Sequence, residues 1–89
     1  MREELVEIYS DETNAAVLRH PERKFPGVLV QGDILHRLCQ RLDFALNELD
    51  RGSKAYDELN ELRNSLWSFK NHYKSVLVEH DCPLPFTED

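Results

Sequence analysis

Two long segments with helical periodicity, separated by three residues, constrain the fold of this chain more than any other feature. The first segment repeats apolar residues at spacings of three and four: Leu35, Leu38, Leu42, Ala45 and Leu49. At about 100° per residue these side chains lie on one helix face. Asp33, directly before Ile34, is typical of a helix N-cap. The pattern predicts a helix over 34–50.

The second segment predicts a longer helix over 54–80, with Ser53 as its N-cap. Its apolar stripe has heptad-like spacing: Leu59, Leu62, Leu66, Phe69, Tyr73 and Val76. Pro83 and Pro85 then force residues 82–89 out of the helix as a tail. Because only Arg51-Gly52-Ser53 joins the two helices, we expect an antiparallel helical hairpin.

The first third of the chain has strand chemistry instead. Residues 4–9 are rich in β-branched and aromatic side chains and 26–31 has a continuous apolar centre, while 15–19 is a weaker strand candidate that also fits a helical turn. The polar turn between the second and third candidates predicts an antiparallel hairpin. Pro26 lacks an N–H group and therefore belongs at a strand start or on a sheet edge.

Together these segments predict an α+β fold in the order β-β-β-α-α. Both the leucine faces of the helices and the strands need an apolar cover. We therefore expect a small antiparallel sheet of two or three strands packed on the two-helix hairpin. The 89 residues suit a single domain over 1–89, since domains run from roughly 50 to 250 residues.

Composition narrows the classes of function. No apolar run approaches the roughly 18–20 residues that span a bilayer, and the acidic N-terminus lacks a secretory signal, so we expect a cytoplasmic protein that does not bind membranes. The formal charge of −6 disfavours nucleic acid, whose binding depends on neutralising phosphates. The charge fits steered association with a basic protein, or it simply maintains solubility.

Catalytic and metal-binding patterns are not apparent. His80-Asp81-Cys82 resembles a reactive cluster, but no second ligand pair stands at zinc-like spacing. The dispersed histidines are read as surface or packing residues: His20, His36, His72 and His80. Cys39 and Cys82 are expected to be thiols. We therefore predict no enzyme activity, no metal and no cofactor.

A strip on the second helix is more informative. Tyr56, Arg63, Trp67 and Lys74 lie about 60–100° to one side of the apolar stripe. Tyrosine, tryptophan and arginine are enriched at binding hot spots. The alternative is that the sheet, or the tail over 83–86, covers the strip and makes it part of the core.

Two residues of the first helix are further candidates for partner binding. Phe44 lies about 120° from the centre of the apolar face. We expect it to contact one of three things: a partner, a second copy of the chain or a neighbouring strand. Asp43 shares the outer face with Asn47 and Asp50, and a carboxylate face of this kind either docks a basic groove or is simply solvated.

Several segments of the sequence resemble those of a family of small uncharacterised bacterial proteins, a domain of unknown function. The most specific is Phe25-Pro26-Gly27-Val28-Leu29-Val30-Gln31-Gly32-Asp33, and Asn60-Glu61-Leu62-Arg63-Asn64-Ser65-Leu66-Trp67 is the second. The resemblance covers nearly the whole chain. It implies a bacterial, stand-alone, single-domain protein and carries over no catalytic or ligand residues.

The resulting hypothesis is a non-enzymatic protein-binding module, of which an immunity- or antitoxin-like protein that masks a basic toxin domain is one form. A second hypothesis is a self-associating structural protein that forms a homodimer through Phe44 or the Trp67 strip. The third is an enzyme or ligand binder that uses His72, His80 and nearby carboxylates.

Overall fold

The computed structural model describes residues 1–87 and confirms the α+β class and the β-β-β-α-α order. Its elements are β1 (Glu7–Ser10), β2 (Ala16–Arg19), β3 (Gly27–Leu29), α1 (Gly32–Asn47) and α2 (Lys54–Glu79). The chain divides into two compact units, Met1–Gln31 with the strands and a second unit from Gly32 onward with the helices. The packing of the sheet on the hairpin and the single-domain organisation over 1–89 stay predictions.

The strands form one antiparallel sheet in the order β1-β2-β3. Val17 lies opposite Val28 in the β2–β3 pair, which confirms the predicted hairpin. In the β1–β2 pair Glu7 lies opposite Arg19, and the register shifts between Ile8 and Ser10. This shift marks a β-bulge, in which one strand contributes an extra residue.

The strands are shorter than predicted, because a strand needs a neighbour along its whole length. β1 was expected from residue 4 but begins at Glu7, whose register partner Arg19 is the last residue of β2. β3 was expected to reach residue 31 but ends at Leu29, opposite Ala16, the first residue of β2. Strand propensity alone does not show where the partner strand stops.

The helix starts agree with the predicted capping, with one difference. Ser53 is the N-cap of α2, and its hydroxyl accepts a hydrogen bond from the Tyr56 N–H at 3.1 Å. α1 begins at Gly32, before Asp33, so Asp33 lies inside the first turn. Its carboxylate still accepts from the Ile34 N–H at 2.9 Å, and it therefore satisfies one of the first-turn donors.

α1 ends three residues before the predicted residue 50. Its last turn tightens, since the Leu49 N–H bonds to the Leu46 carbonyl three residues earlier. The Asp50 carboxylate then accepts from the Gly52 N–H at 3.0 Å and closes the turn before α2. α2 ends at Glu79, one residue before the prediction. Of the predicted tail 82–89, residues 88 and 89 lie outside the described residues.

The two helices pack as the predicted antiparallel hairpin, and most members of each predicted apolar stripe are half-buried. The side chains buried between them are Cys39, Leu46 and Lys70, whereas Leu62 and Phe69 of the predicted stripe are 49% and 63% exposed. Asp43, expected on the outer face, is half-buried. The contact face includes long polar side chains whose stems are apolar, and periodicity counts these as surface.

Gly32 allows a close approach at the start of α1. The Tyr73 ring of α2 lies so near the Gly32 backbone that a Cβ atom there would overlap the ring. The buried glycine thus lets α2 pack against the first turn of α1.

Candidate functional site

A cluster of polar and aromatic side chains lies on one side of the helical hairpin, with Asp43 of α1 at its centre. Arg63 and Trp67 stand one turn apart on α2, so they share a face of that helix. Arg63 Nε donates to Asp43 Oδ1 at 2.5 Å, and Trp67 Nε1 donates to the same oxygen at 3.2 Å. One carboxylate oxygen therefore ties two α2 side chains to α1.

The ion pair is half-buried, since the side chains of Arg63 and Asp43 are 35% and 34% exposed. The guanidinium carbon of Arg63 lies 5.6 Å from the centre of the Trp67 ring, within the range of cation–π attraction. Arg63 Nη1 also donates to Asn64 Oδ1 at 3.3 Å. Because Asp43, Arg63 and Trp67 each have two or more partners, they hold one another in a fixed arrangement.

Lys70 extends the cluster into the interior of the hairpin. It is only 2% exposed. Its ammonium nitrogen lies 4.1 Å from the centre of the Trp67 ring and 5.2 Å from that of Phe86. The negative faces of aromatic rings attract a cation, which offsets part of the cost of removing the charge from water. Trp67 thus contacts two cations, Arg63 and Lys70.

The segment after α2 returns toward the helices and supplies Phe86. Asp81 adopts a positive φ of 55°, and the Cys82 N–H bonds to the Leu77 carbonyl at 2.9 Å, a chain reversal typical of helix C-termini. The Phe86 ring stacks on His36 of α1 with centroids 4.2 Å apart. The tail therefore contacts α1 through His36 and α2 through Lys70.

Cys39 lies at the base of this cluster and is fully buried, while Cys82 is exposed; both are free thiols, as expected. Burial raises the pKa of the Cys39 thiol, Lys70 and Arg63 act in the opposite direction, and Asp43 adds to the rise. Burial has the largest effect, so Cys39 stays protonated near neutral pH. A protonated, inaccessible thiol is a poor nucleophile.

Shallow grooves flank the Asp43–Arg63 pair. One, of roughly 360 Å³, is lined by Asp43, Leu46, Asn47, Tyr56, Asn60 and Arg63. The other, of roughly 490 Å³, is lined by Arg63, Asn64, Trp67, Ser68 and Asn71. Amide and hydroxyl groups dominate both linings, and such groups form hydrogen bonds with a partner's backbone without a fixed charge requirement.

The structure brings together most of the residues predicted for partner binding. Asp43, Arg63 and Trp67 form the hydrogen-bonded cluster, and Tyr56 lines the groove beside it. Lys74 lies farther along α2, half-buried, in a separate groove with Asn71, Ser75, Val78 and Glu79. Phe44, 69% exposed, lies apart from the cluster on the outer surface of α1.

Sequence reasoning missed the inner positions of Lys70 and His36. It named a tail over 83–86 that covers the strip only as the alternative, and the contact of Phe86 with Lys70 beside Trp67 agrees with that alternative. Lys70 follows Arg63 by seven residues and Trp67 by three, so helical spacing does place it on the same strip. A lysine is nevertheless read as a surface residue, because lysine is seldom fully buried. The Phe86 contacts depend on the chain reversal at Asp81, for which the sequence has no glycine signal.

The sequence of this chain matches a family described as Family of unknown function (DUF6959) over residues 1–86. The chain belongs to this family. No curated protein and no solved structure matches it. The DUF6959 match confirms the predicted membership of an uncharacterised family and spans both structural units, including the whole Asp43 cluster.

Among residues 1–87, no group of three or more His, Cys, Asp or Glu side chains is placed to hold a metal ion. In the same part of the chain, no helix has the length and apolar character needed to cross a membrane.

Proposed function

We propose that the chain is a non-enzymatic protein-binding module whose docking surface is the side of the hairpin formed by Tyr56, Asp43, Arg63 and Trp67. The observation that carries this proposal is the Asp43–Arg63–Trp67 cluster itself. Its members are held by mutual hydrogen bonds, yet Asp43 and Arg63 keep about a third of their side-chain surface open to solvent. A surface ordered before binding loses little conformational entropy when a partner docks.

The chemistry of this surface supports a protein partner. Tryptophan, tyrosine and arginine supply a large share of the binding energy at protein interfaces. Here they are next to grooves lined by Asn60, Asn64, Ser68 and Asn71. Such a combination of aromatic anchors and adaptable hydrogen-bonding groups is common where one protein recognises another.

Charge favours a basic partner. The chain has a formal charge of −6, and Asp50 and Asp57 lie at the same end of the hairpin as Tyr56, around the turn between the helices. Over residues 48–58 the four carboxylates outnumber the two cations, Arg51 and Lys54, and a net negative charge beside the surface accelerates encounter with a positively charged protein. An immunity- or antitoxin-like protein that masks a basic toxin domain is the specific form of this proposal.

The bacterial cytoplasm is the proposed setting. It follows from the resemblance of residues 25–33 to small bacterial proteins and from the free thiols of Cys39 and Cys82, which are usual in a reducing compartment.

Affinity capture from the native host tests the proposal if it compares variants of the surface. Asn71→Arg places a long cation in the groove beside Trp67, and Tyr56→Ala removes the aromatic lining on the other side of Arg63. We expect one host protein to be enriched by the wild type and depleted at least about tenfold by each variant, the loss expected when one hot-spot contact is removed. Titration calorimetry with the purified partner should give the same ranking.

Ser65→Arg is the matched control, because Ser65 is also exposed on α2 but lies about 120° around the helix from Asn71. It adds the same charge without entering either groove and should capture the partner as the wild type does. If all three variants retain the same captured protein, the partner does not dock on this side of the hairpin and the proposal fails.

A further inference from the structure

The N-terminal segment Glu3–Val6 has strand-forming chemistry without a neighbouring strand. It directly precedes β1 in the sequence, yet β2 ends at Arg19, opposite Glu7, and Pro21 follows closely with no N–H to donate. Leu5 is 96% exposed and Val6 is 40% exposed. The sheet of a single chain thus leaves this segment unpaired.

The opposite edge of the same sheet is also unpaired among the described residues. β3 pairs only with β2, and Val28 and Leu29 are 62% and 55% exposed. An open edge strand presents unsatisfied N–H and C=O groups and readily accepts an additional strand from another chain.

A groove beside β3 gives this edge selectivity. It has a volume of roughly 460 Å³, and its lining combines an apolar set with basic side chains and contains no acidic residue. The apolar set is Leu18, Phe25, Gly27, Val28 and Leu29, and the basic side chains are His20, Arg23 and Lys24. A strand that docks here needs an apolar side chain next to carboxylates.

Glu3, Glu4 and Leu5 meet both requirements. Three ion pairs join residues 1–87, and Glu3, Arg23 and Lys24 take part in none of them. Glu4 pairs with Arg2 at 3.3 Å, but both side chains are well exposed, so this pair contributes little and exchanges readily. Two acidic groups, Glu3 and Glu4, precede one edge strand of the sheet, and two basic groups, Arg23 and Lys24, precede the other.

We infer that Glu3–Val6 of one copy adds to the free edge of β3 in a second copy. Because side chains alternate along a strand, Leu5 and Glu3 face the groove with Arg23 and Lys24, and Glu4 on the other face adds a second negative charge close to these cations. If the exchange is reciprocal, each copy gives its segment and receives the other's, which produces a closed two-fold dimer. The main-chain hydrogen bonds supply affinity, and the groove fixes the register.

A second copy fits better than the chain's own segment or the other edge. Within one chain β2 lies between β1 and β3, so the segment leaves the sheet at the edge about 10 Å away from the one it would join. Pairing of β1 with β1 of another copy would bring Glu3, Glu4 and Glu7 against the same residues, and like charges in opposing strands are destabilising.

A charge exchange between two full-length variants tests the inference by sedimentation equilibrium. We expect the wild type to dimerise. Glu3→Lys with Glu4→Lys, and separately Arg23→Glu with Lys24→Glu, should each raise the dissociation constant at least about 100-fold, because each places like charges together. An equimolar mixture of the two variants restores one attractive contact in each direction. It should form a heterodimer within about tenfold of the wild-type affinity.

Leu5→Ala provides a second measurement that loss of folding cannot mimic, since Leu5 is almost fully exposed in the single chain. It should weaken a reciprocal dimer about 100-fold or more, because each of the two contacts loses most of a buried leucine side chain, at about tenfold for each. Glu48→Lys with Glu61→Lys is the matched control, because it makes the same change in net charge as the Glu3/Glu4 variant at two exposed positions, one just after α1 and one on α2, and it should leave the dimer intact.

A wild type that stays monomeric at high concentration overturns the inference, as does a mixture of the two charge variants that fails to associate. None of these substitutions touches the Asp43 cluster. A dimer that forms without any host partner, or a partner that binds a monomer, therefore separates this inference from the proposed function.

Discussion

The two units of this chain differ in how much of their own stabilisation they contain. The unit from Gly32 onward buries Cys39, Leu46 and Lys70 between its helices, whereas no residue of Met1–Gln31 is buried. A helical hairpin is held by contacts along two adjacent helices, but three strands of three or four residues have little stability without a covered face. The sheet therefore depends on additional contacts, and the hairpin depends on them less.

The largest expected effect comes from shortening one leucine side chain in each unit. Leu46 is 6% exposed and Leu29 is 55% exposed. Leu46→Ala should lower the free energy of unfolding by about 2–5 kcal/mol, because it leaves a cavity between the helices. Leu29→Ala should lower it by less than about 1 kcal/mol, as for exposed positions in general. Urea titration followed by far-UV circular dichroism measures both values, and equal losses would contradict the comparison.

The same difference explains how much of the fold was predictable. The Ser53 N-cap, the α2 helix and the hairpin connection were all correct, because these features are encoded locally in capping residues and periodicity. The strand limits were not predicted correctly, because β1 begins opposite the last residue of β2 and β3 ends opposite its first residue. A strand's length is a property of its neighbour as well as of its own sequence.

The candidate site was half predictable for a related reason. Arg63 and Trp67 stand out because their side chains are chemically conspicuous on one helix strip. Their common partner, Asp43, was recognised only as a member of an outer face, because periodicity does not show how each helix is rotated toward the other. The buried position of Lys70 arises from contacts with Trp67 and Phe86, which no single segment encodes.

The glycines offer the next comparison. A Cβ added at Gly32 would overlap the Tyr73 ring, while one added at Gly27 in β3 would meet nothing within 4 Å. Gly32→Ala should destabilise the protein by about 1–3 kcal/mol through overpacking. Gly27→Ala should be neutral or slightly stabilising, because it reduces the entropy of the unfolded chain. Thermal unfolding of both variants checks this, and a Gly32→Ala variant as stable as wild type would mean that Tyr73 moves freely.

The ion pairs Asp43–Arg63, between the helices, and Glu7–Arg19, between two strands, should differ less in their contributions to stability. Asp43→Asn removes the negative charge of the carboxylate that accepts hydrogen bonds from both Arg63 and Trp67. We expect the free energy of unfolding to fall by about 1 kcal/mol after allowance for the partial exposure of the pair. Glu7 hydrogen-bonds to Arg19 and raises the pKa of its guanidinium, but that pair lies on the exposed sheet. Glu7→Gln should produce no measurable loss at physiological ionic strength. Loss of stability in both variants would show that the sheet pair is shielded from solvent.

The smallest expected effect is the response of Cys39 to pH. Burial raises the pKa of its thiol in the folded chain, so folding favours the protonated form. The associated stabilisation is fully present below the pKa of an unfolded thiol, about 8.5, and is lost as the pH rises through the higher folded value. Cys39→Ser, which does not ionise in this range, should abolish that alkaline decline.

Thiol labelling measures the same asymmetry without a pH change. Cys82 is exposed and should react with an aromatic disulfide reagent at the rate of a free thiol, whereas Cys39, with no exposed surface, should react only when the hairpin opens. The labelling rate of Cys39 in a Cys82→Ser background then reports the opening of the helical unit alone. Leu46→Ala should accelerate this rate, because it weakens the contacts between the helices, whereas Leu29→Ala should leave it close to the rate of the unmodified hairpin.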